Sequence, residues 1–168
     1  VTDVLSVKQP VIAAARKALG EWPRRLVPGH PIAGSERRGP GAADPRLFED
    51  HRVILTPDAE TDESAVNTVS AMWEALGAEV VMMDASRHDR VLACTSHLPH
   101  LLAYALVDSL SRLDDSEEIF RFAAGGFRDF TRIAGSDPVM WRDIFASNRA
   151  ALLAVLDQFS ADLTVLRE

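Results

Sequence analysis

The sequence has 168 residues, 47% of them hydrophobic, and a formal net charge of −7. This composition is typical of a globular protein with one domain or two small ones, and the negative charge argues against nonspecific nucleic-acid binding, which depends on Lys and Arg. The sequence has no apolar stretch of membrane-spanning length and no secretory signal pattern, so we expect a cytoplasmic protein that does not enter membranes. The single cysteine, Cys94, excludes an internal disulfide and is expected in the core.

The first half, residues 1–83, alternates short apolar runs with helical patterns. Helices are predicted from a capping box at Ser6 to Leu19 and from Asp62 or Glu63 to Leu76. Strands that alternate with helices indicate an open α/β sheet with helices on its faces. The predicted strands cover residues 1–4, 26–28, 52–56 and 79–83.

The second half, residues 84–168, shows no strand pattern after residue 83 and is predicted to be all-α. One long helical pattern follows Ser86 and is expected to bend at Pro99, which cannot donate a backbone hydrogen bond. Shorter helices are predicted near residues 116–122 and 137–148. A last amphipathic helix begins near residue 149 and has an apolar face formed by Leu152, Leu156, Phe159, Leu163 and Leu166.

Three groups of residues are candidates for a functional site, and the first surrounds His30 in the stretch GHPIAGSE. A histidine between glycine and proline at a strand end is rigidly mounted, so His30 is a candidate general base. Glu36 follows closely enough to reach the same cleft. The alternative is an ordinary loop histidine beside a solvated glutamate.

The second group is His97 and His100, which lie three residues apart and therefore on one helix face. The pair fits a polar cleft beside Pro99, or two satisfied core histidines. A metal site needs further ligands at matching spacing, and none is apparent, so we expect no metal.

The third group is Arg128, Asp129 and Arg132, which lie among apolar residues that include Trp141. Arg128 and Arg132 are four residues apart, so both guanidinium groups are predicted on one helix face, suited to binding a carboxylate. An Arg–Asp network between helices is the equally weighted alternative.

The order of four motifs is more specific than any one of them: TDV.SVK, GHPIAGSE, SHLPHLLAYAL and GGFRDFTRIA.SDP.MWRDI. In this order they resemble the prephenate/arogenate dehydrogenase family of tyrosine biosynthesis over the whole chain. The resemblance implies that residues 1–83 are the C-terminal part of a Rossmann-like dinucleotide-binding domain. It also implies that residues 84–168 are an all-α domain for substrate binding and homodimerisation.

The implied reaction is the NAD- or NADP-dependent oxidative decarboxylation of prephenate to 4-hydroxyphenylpyruvate, or the corresponding reaction of arogenate. Tyrosine is implied as a candidate feedback inhibitor. His30 matches the family's catalytic histidine, and Ser6 matches a serine near the substrate hydroxyl and the nicotinamide. Asp3 and Ser6 are implied to contact the cofactor, and Arg132 to bind a substrate carboxylate. The remaining implied substrate-binding residues are Glu36, His97, His100, Arg128, Asp129 and Trp141.

Two departures from the family pattern carry expectations of their own. Leu5 stands where the family usually has glycine, so an altered backbone before Ser6 is expected. The sequence contains no G-x-G-x-x-G turn, so about three strand–helix units are expected to precede Val1, and this chain alone is expected to bind NAD weakly. The alternatives are a catalytically inactive truncated fragment that acts only as a dimerising helical module, and another NAD-dependent dehydrogenase of similar two-domain build.

Overall fold

The computed structural model describes residues 1–34 and 39–168, which form two compact units, Val1–Val91 and Leu92–Glu168. The first unit contains a small mixed sheet with helices, and the second is built from helices. The predicted division of the chain into an α/β half and a helical half is thereby confirmed at this coarse level. No helix among the described residues has the length and apolar character needed to cross a lipid bilayer.

The sheet of the first unit has three strands in the order β1 (Gly29–Pro31), β2 (Arg52–Leu55) and β3 (Glu79–Met82). β1 and β2 are antiparallel, with His30 opposite Ile54, whereas β2 and β3 are parallel, with Ile54 opposite Val81. The strands predicted at 52–56 and 79–83 are therefore present. The predicted strand at 26–28 is found slightly later, as β1.

The strand predicted at residues 1–4 is reduced to one parallel bridge between Thr2 and Val27. The ladder ends because the next amide on this edge, that of Gly29, meets the carboxylate of Asp3 at 3.3 Å instead of a backbone carbonyl. A side chain has thus replaced the backbone partner that a longer strand would need.

Three helices accompany this sheet: α1 (Gln9–Leu19), α2 (Glu63–Ala75) and α3 (Ala85–Leu92). Val69 and Trp73, four residues apart on α2, face the same direction and pack against Val53 and Leu55 of β2. Val53 and Leu55 alternate with Ile54, so one face of β2 carries this cluster. Burial of this cluster is the main hydrophobic contribution to the stability of the first unit.

The start of α1 differs from the predicted capping box at Ser6. The helix begins at Gln9, its N-cap is Lys8, and no neighbouring side chain caps it. Instead the amides of Lys8 and Gln9 donate to the two carboxylate oxygens of Asp89, at 2.8 and 2.9 Å. The capping-box prediction is wrong because a carboxylate from α3 satisfies these amides.

The second unit begins with a π-helical turn (Ala93–His97), followed by α4 (Leu98–Ser111), α5 (Ser116–Arg121) and α6 (Gly125–Thr131). A 3₁₀ turn (Arg132–Gly135) leads to α7 (Pro138–Ser147) and α8 (Arg149–Leu166). The π turn lies just before Pro99, where the amide of Leu98 bonds to the carbonyl of Ala93. Pro99 has no N–H for the carbonyl four residues back, so a regular α-helix cannot continue through this point.

Few apolar side chains of the second unit are fully buried. On α8 Leu152 is buried, Leu156 and Phe159 are half-buried, and Leu163 and Leu166 are exposed, so the predicted apolar face is covered at one end only. Cys94 is exposed, contrary to expectation, because it lies on the open side of the π turn. Further exposed apolar side chains of this unit are Leu113, Phe122, Phe130, Val139, Met140, Leu153 and Val165.

Candidate functional site

A hydrogen-bonded row of three side chains connects β1 with α3. His30 on β1 is half-buried, and its Nδ1 lies 2.9 Å from Nε2 of His88. His88 is fully buried, and its own Nδ1 lies 2.8 Å from Oδ1 of Asp89. The two imidazole rings meet edge to face with centroids 5.1 Å apart. The histidine expected to be catalytic is thus linked through a second imidazole to a buried carboxylate.

Three hydrogen bonds to its two carboxylate oxygens hold Asp89 in place. Oδ1 accepts from His88 and from the amide of Lys8, and Oδ2 accepts from the amide of Gln9. Burial alone would raise the pKa of Asp89, but the hydrogen bonds from His88 and from the two amides bring it below its ordinary value. The carboxylate is therefore ionised at neutral pH, where it can only accept hydrogen bonds.

Lys8 binds the backbone of Gly29, the residue just before His30. Its side chain is completely buried, and Nζ donates to Oδ1 of Asp3 at 2.5 Å and to the carbonyl of Gly29 at 2.6 Å. Burial lowers the pKa of Lys8, against the opposing effect of the hydrogen bond and charge of Asp3 and the charge of Asp89. A buried ammonium is tolerated only with such partners. Lys8 therefore ties the segment after Thr2 to the residue before His30.

The two residues expected near the cofactor, Asp3 and Ser6, and Leu5 between them have distinct environments. The carboxylate of Asp3 holds Lys8 and the amides of Leu5 and Gly29, so it already has a structural task, and its contact with a cofactor stays a prediction. Leu5 is exposed and does not adopt a positive φ, since Asp50 alone does so among the described non-glycine residues. The hydroxyl of Ser6 is half-buried and has no hydrogen-bond partner among the described residues. Leu5 therefore replaces the glycine of the family without left-handed backbone strain.

In the second unit His97 and His100 both contact the indole of Trp141. His97 is buried, and its Nδ1 lies 3.1 Å from Nδ2 of Asn148, so the amide donates and the imidazole accepts. His100 stacks on Trp141 with ring centroids 3.6 Å apart, and its Nδ1 lies 2.8 Å from the carbonyl of Ser96. A carbonyl can only accept, so Nδ1 of His100 carries a proton.

The electrostatic surroundings of His100 favour its neutral form. Burial is the main cause that lowers the pKa of His100, the positive charge of Arg132 lowers it further, and the hydrogen bond to Ser96 opposes both. The indole N–H of Trp141 is buried and meets no acceptor among residues 1–34 and 39–168. A ligand oxygen or a water molecule would satisfy it.

The predicted arginine pair lies where α6 ends. The amide of Arg132 bonds to the carbonyl of Arg128, so the two residues are one turn apart, but Arg132 already belongs to the 3₁₀ turn. Arg128, Asp129 and Arg132 are all exposed. In the described part of the chain neither Arg128 nor Asp129 forms an ion pair, and both the carboxylate-binding role and the alternative Arg–Asp network stay predictions.

Several residues of the site were not predicted from the sequence: Lys8, His88, Asp89 and Asn148. The one local signal for them is the adjacent His-Asp pair in SRHDRV, which otherwise has the charge density of a solvated helix. Glu36 lies outside the described residues, so its substrate-binding role stays a prediction. Within the ranges that the structure describes, no three His, Cys, Asp or Glu residues are grouped so as to hold a metal ion.

Comparison with protein families gives two matches that together cover nearly all of the chain. Residues 1–82 match the family model described as prephenate dehydrogenase, nucleotide-binding domain, and residues 84–168 match prephenate dehydrogenase, dimerization domain. The chain belongs to the prephenate dehydrogenase family. The two family models meet at residues 82–84, whereas the first compact unit extends to Val91. His88 and Asp89 therefore match the dimerization model while lying structurally with His30.

Individual relatives agree with this family. The chain is 46% identical to cyclohexadienyl dehydrogenase of Zymomonas mobilis, covering 99% of this chain and 57% of the relative. It is 41% identical to prephenate dehydrogenase of Bacillus subtilis, covering 99% of this chain and 45% of the relative. It is similar, with a TM-score of 0.89 and 42% identity, to the crystal structure of Aquifex aeolicus prephenate dehydrogenase in complex with hydroxyphenyl propionate and NAD+, covering 99% of this chain and 57% of that one. The chain spans about half the length of the curated relatives it matches.

Proposed function

We propose that the protein containing this chain catalyses the NAD- or NADP-dependent oxidative decarboxylation of prephenate, or of arogenate, in tyrosine biosynthesis. In this proposal residues 1–83 belong to a Rossmann-like nucleotide-binding domain and residues 84–168 to a helical domain for substrate binding and dimerisation. The membership of the family and the names of the relatives support the reaction class. The observation that carries the proposal is the placement of His30 on β1, half-buried and hydrogen-bonded to a buried imidazole.

A nicotinamide dinucleotide would supply the acceptor for the hydride that leaves the substrate. Val4 and Leu5 fit the nicotinamide end of such a cofactor, because each exposes a large apolar side chain that a flat ring could cover. Next to them the hydroxyl of Ser6, which has no hydrogen-bond partner within residues 1–34 and 39–168, is suited to bond a ligand's amide or hydroxyl. The NAD+ complex of the similar Aquifex aeolicus enzyme favours NAD over NADP as the first cofactor to test.

His30 is the proposed general base. The hydroxyl-bearing carbon of the cyclohexadienol loses a hydride, and its oxygen must lose a proton at the same time for a carbonyl to form. His30 takes this proton, while Ser6 orients the hydroxyl. Loss of carbon dioxide then yields the aromatic ring, which makes the overall reaction favourable. A positioned base of this kind contributes about 10²- to 10⁴-fold to the rate.

Arg132 is the proposed partner of a substrate carboxylate in the second unit. It is exposed, at the end of α6, and its positive charge reaches the stack of His100 on Trp141. The neutral His100 offers Nε2 as an acceptor, and the indole N–H of Trp141 offers a donor. Together these groups suit a ligand that carries both a carboxylate and further polar oxygens.

The reaction is tested with the full-length gene product that contains this sequence. The protein is incubated with prephenate or arogenate and with NAD or NADP, and reduced nicotinamide and the aromatic product are both quantified. We expect turnover of at least one substrate, and a decrease of kcat by about 10²- to 10⁴-fold in His30→Asn. The melting temperature of this variant should stay close to that of the wild type. Absence of turnover in all four combinations contradicts the proposal, as does near-full kcat in His30→Asn.

A second variant separates binding from chemistry. Arg132→Ala removes a carboxylate partner that is present in both the ground state and the transition state. We expect KM to rise by about 10-fold or more with a smaller decrease of kcat. Arg142→Ala, which removes another exposed arginine, from α7, is the matched control and should leave KM unchanged. Equal KM values for the two variants would rule out the assigned role of Arg132.

A further inference from the structure

We propose that His88 and Asp89 are positioning residues that fix the tautomer of His30, so that its basic lone pair is on Nε2 and its proton is on Nδ1. The proposal rests on the proposed function for its meaning in catalysis, because it concerns which nitrogen of His30 receives the substrate proton. Its structural part, the tautomer itself, is independent of any activity.

The carboxylate of Asp89 determines which nitrogen of His88 is protonated. An ionised carboxylate has no proton to donate, so the 2.8 Å contact between its Oδ1 and Nδ1 of His88 requires a proton on that nitrogen. A neutral imidazole has one protonated nitrogen only, so Nε2 of His88 carries a lone pair. The 2.9 Å contact with Nδ1 of His30 then requires that His30 donates. In neutral His30 the lone pair is therefore on Nε2.

The rival arrangement requires a charged His88. If Nε2 of His88 carried a proton as well, His88 would be an imidazolium that donates to Nδ1 of His30. The lone pair of neutral His30 would then be on Nδ1, occupied by this hydrogen bond, and Nε2 could not accept the substrate proton. His88 is completely buried, with the carboxylate of Asp89 at one ring nitrogen and the imidazole of His30 at the other. The negative charge of Asp89 is already shared with the amides of Lys8 and Gln9. One proton on each imidazole satisfies both contacts, so the neutral arrangement is the one we assign.

Buried hydrogen-bond partners hold both Asp89 and His30 in place. Asp89 cannot turn away from His88 without breaking its bonds to the first amides of α1. From the opposite direction Lys8 holds the carbonyl of Gly29, the residue just before His30. Both the ring and the backbone of His30 are thus held by partners that are themselves buried. A base held in this way loses little entropy when the substrate binds.

The consequence for the reaction follows from the proton balance. The O–H bond of the substrate breaks, a bond between this hydrogen and Nε2 of His30 forms, and the hydride passes to the nicotinamide dinucleotide named above. The resulting imidazolium keeps its Nδ1–H directed at His88, with the carboxylate of Asp89 behind it. The pair thereby stabilises a charge that exists only after proton transfer, so its contribution belongs to kcat.

Nitrogen NMR tests the tautomer without any substrate. The full-length protein is labelled with ¹⁵N-histidine, and long-range proton–nitrogen correlations show which nitrogen of each of the five histidines is protonated. Signals are assigned with His30→Asn and His88→Gln. We expect Nδ1 to be protonated and Nε2 unprotonated in both His30 and His88. A proton on Nε2 of neutral His30, or a doubly protonated His88, overturns the proposal whether or not the protein is active.

Kinetics then test the positioning role with two substitutions at one site. His88→Gln keeps a carbonyl that can accept from His30, whereas His88→Leu keeps bulk but no acceptor. We expect His88→Leu to lower kcat by about 10- to 100-fold with little change of KM, and His88→Gln to recover most of the loss. His51→Gln, on an exposed histidine, is the control. Equal losses in the leucine and glutamine variants, with melting temperatures unchanged, contradict the positioning role.

Discussion

Among the described residues of the first unit, each buried ionisable side chain meets a partner that carries the opposite charge or forms a hydrogen bond with it. Lys8 faces Asp3, and His88 faces Asp89, with all four side chains mostly or fully removed from water. Removing one member of such a pair leaves the other buried and unsatisfied, which costs more than the intact pair contributes. Single apolar substitutions of the charged members Asp3, Lys8 and Asp89 are therefore expected to damage folding as well as function, whereas leucine at position 88 leaves Asp89 its hydrogen bonds to the amides of Lys8 and Gln9.

The lowered pKa of His100 predicts that the free energy of unfolding depends on pH. Its pKa is lowered in the folded protein, mainly by burial, so as the pH falls below 6.5 the unfolded chain binds a proton before the folded chain does. The stability that His100 contributes is therefore fully present above 6.5 and is lost as the pH falls towards the folded pKa. We expect the difference in free energy of unfolding between wild type and His100→Asn to shift against the wild type on acidification. Urea unfolding of both proteins, one pH unit above and one below 6.5, measures it.

A substitution of Arg132 tests the cause of this pH dependence. Because the positive charge of Arg132 is the second cause of the lowered pKa of His100, Arg132→Gln should reduce the pH dependence without abolishing it. A pH dependence that is unchanged by His100→Asn would show that the protonation of His100 is not coupled to folding.

At the scale of secondary-structure elements, two helix ends depend on glycine in the left-handed region. Gly20 follows α1 with φ 76° and bonds to the carbonyl of Arg16, and Gly77 follows α2 with φ 83°. A Cβ at Gly20 would meet nothing within 4 Å, whereas one at Gly77 would lie 3.0 and 3.2 Å from Cγ and Cα of Glu49. The two positions share the backbone requirement and differ in the space around it.

This difference gives a matched pair of substitutions. Gly20→Ala should cost about 1 kcal/mol, the cost of placing a side chain in the left-handed region. Gly77→Ala should cost about 1 kcal/mol more, because the backbone of Glu49 must also move. Chemical denaturation of both variants measures the two free energies. A smaller loss at Gly77 than at Gly20 would mean that the loop at Glu49 yields without strain.

The elements that were predicted well are those whose signals are local. The period of apolar residues and the glycine stop define α2, and the apolar pattern of α8 defines its start and its length. The start of α1 was mispredicted because its cap, Asp89, is 81 residues away from Lys8, and no local pattern contains that information. His30 was predicted as a site residue because strand ends are common sites, and that role stays a prediction; His88 was not predicted because only tertiary packing buries it.

At the scale of the whole molecule, the helical unit exposes more apolar surface than a small isolated unit ordinarily does. Phe122, Val139, Val165 and Leu166 are all more than half exposed. Large exposed apolar patches mark interfaces, and the family model matched by residues 84–168 describes a dimerization domain. We therefore expect a homodimer formed through the second unit.

Sedimentation at micromolar concentration tests the dimer. The double variant Leu163→Gln/Leu166→Gln, at the exposed end of α8, should weaken association, whereas Ser160→Gln on the same helix should not. A wild-type monomer contradicts the prediction of a homodimer. A dimer that withstands the double variant contradicts the assignment of the interface to this end of α8.

The position of Asp89 also limits how the protein can be divided and recombined. A piece ending at residue 82, where the nucleotide-binding family model ends, contains His30 but neither His88 nor Asp89, and it leaves the first amides of α1 without their acceptor. A chimera joined at that point would combine His30 of this chain with the α3 of another enzyme. Chimeras joined after Val91 instead inherit the base, its neighbour and the carboxylate from one parent, and so exchange the helical half without separating residues that work together.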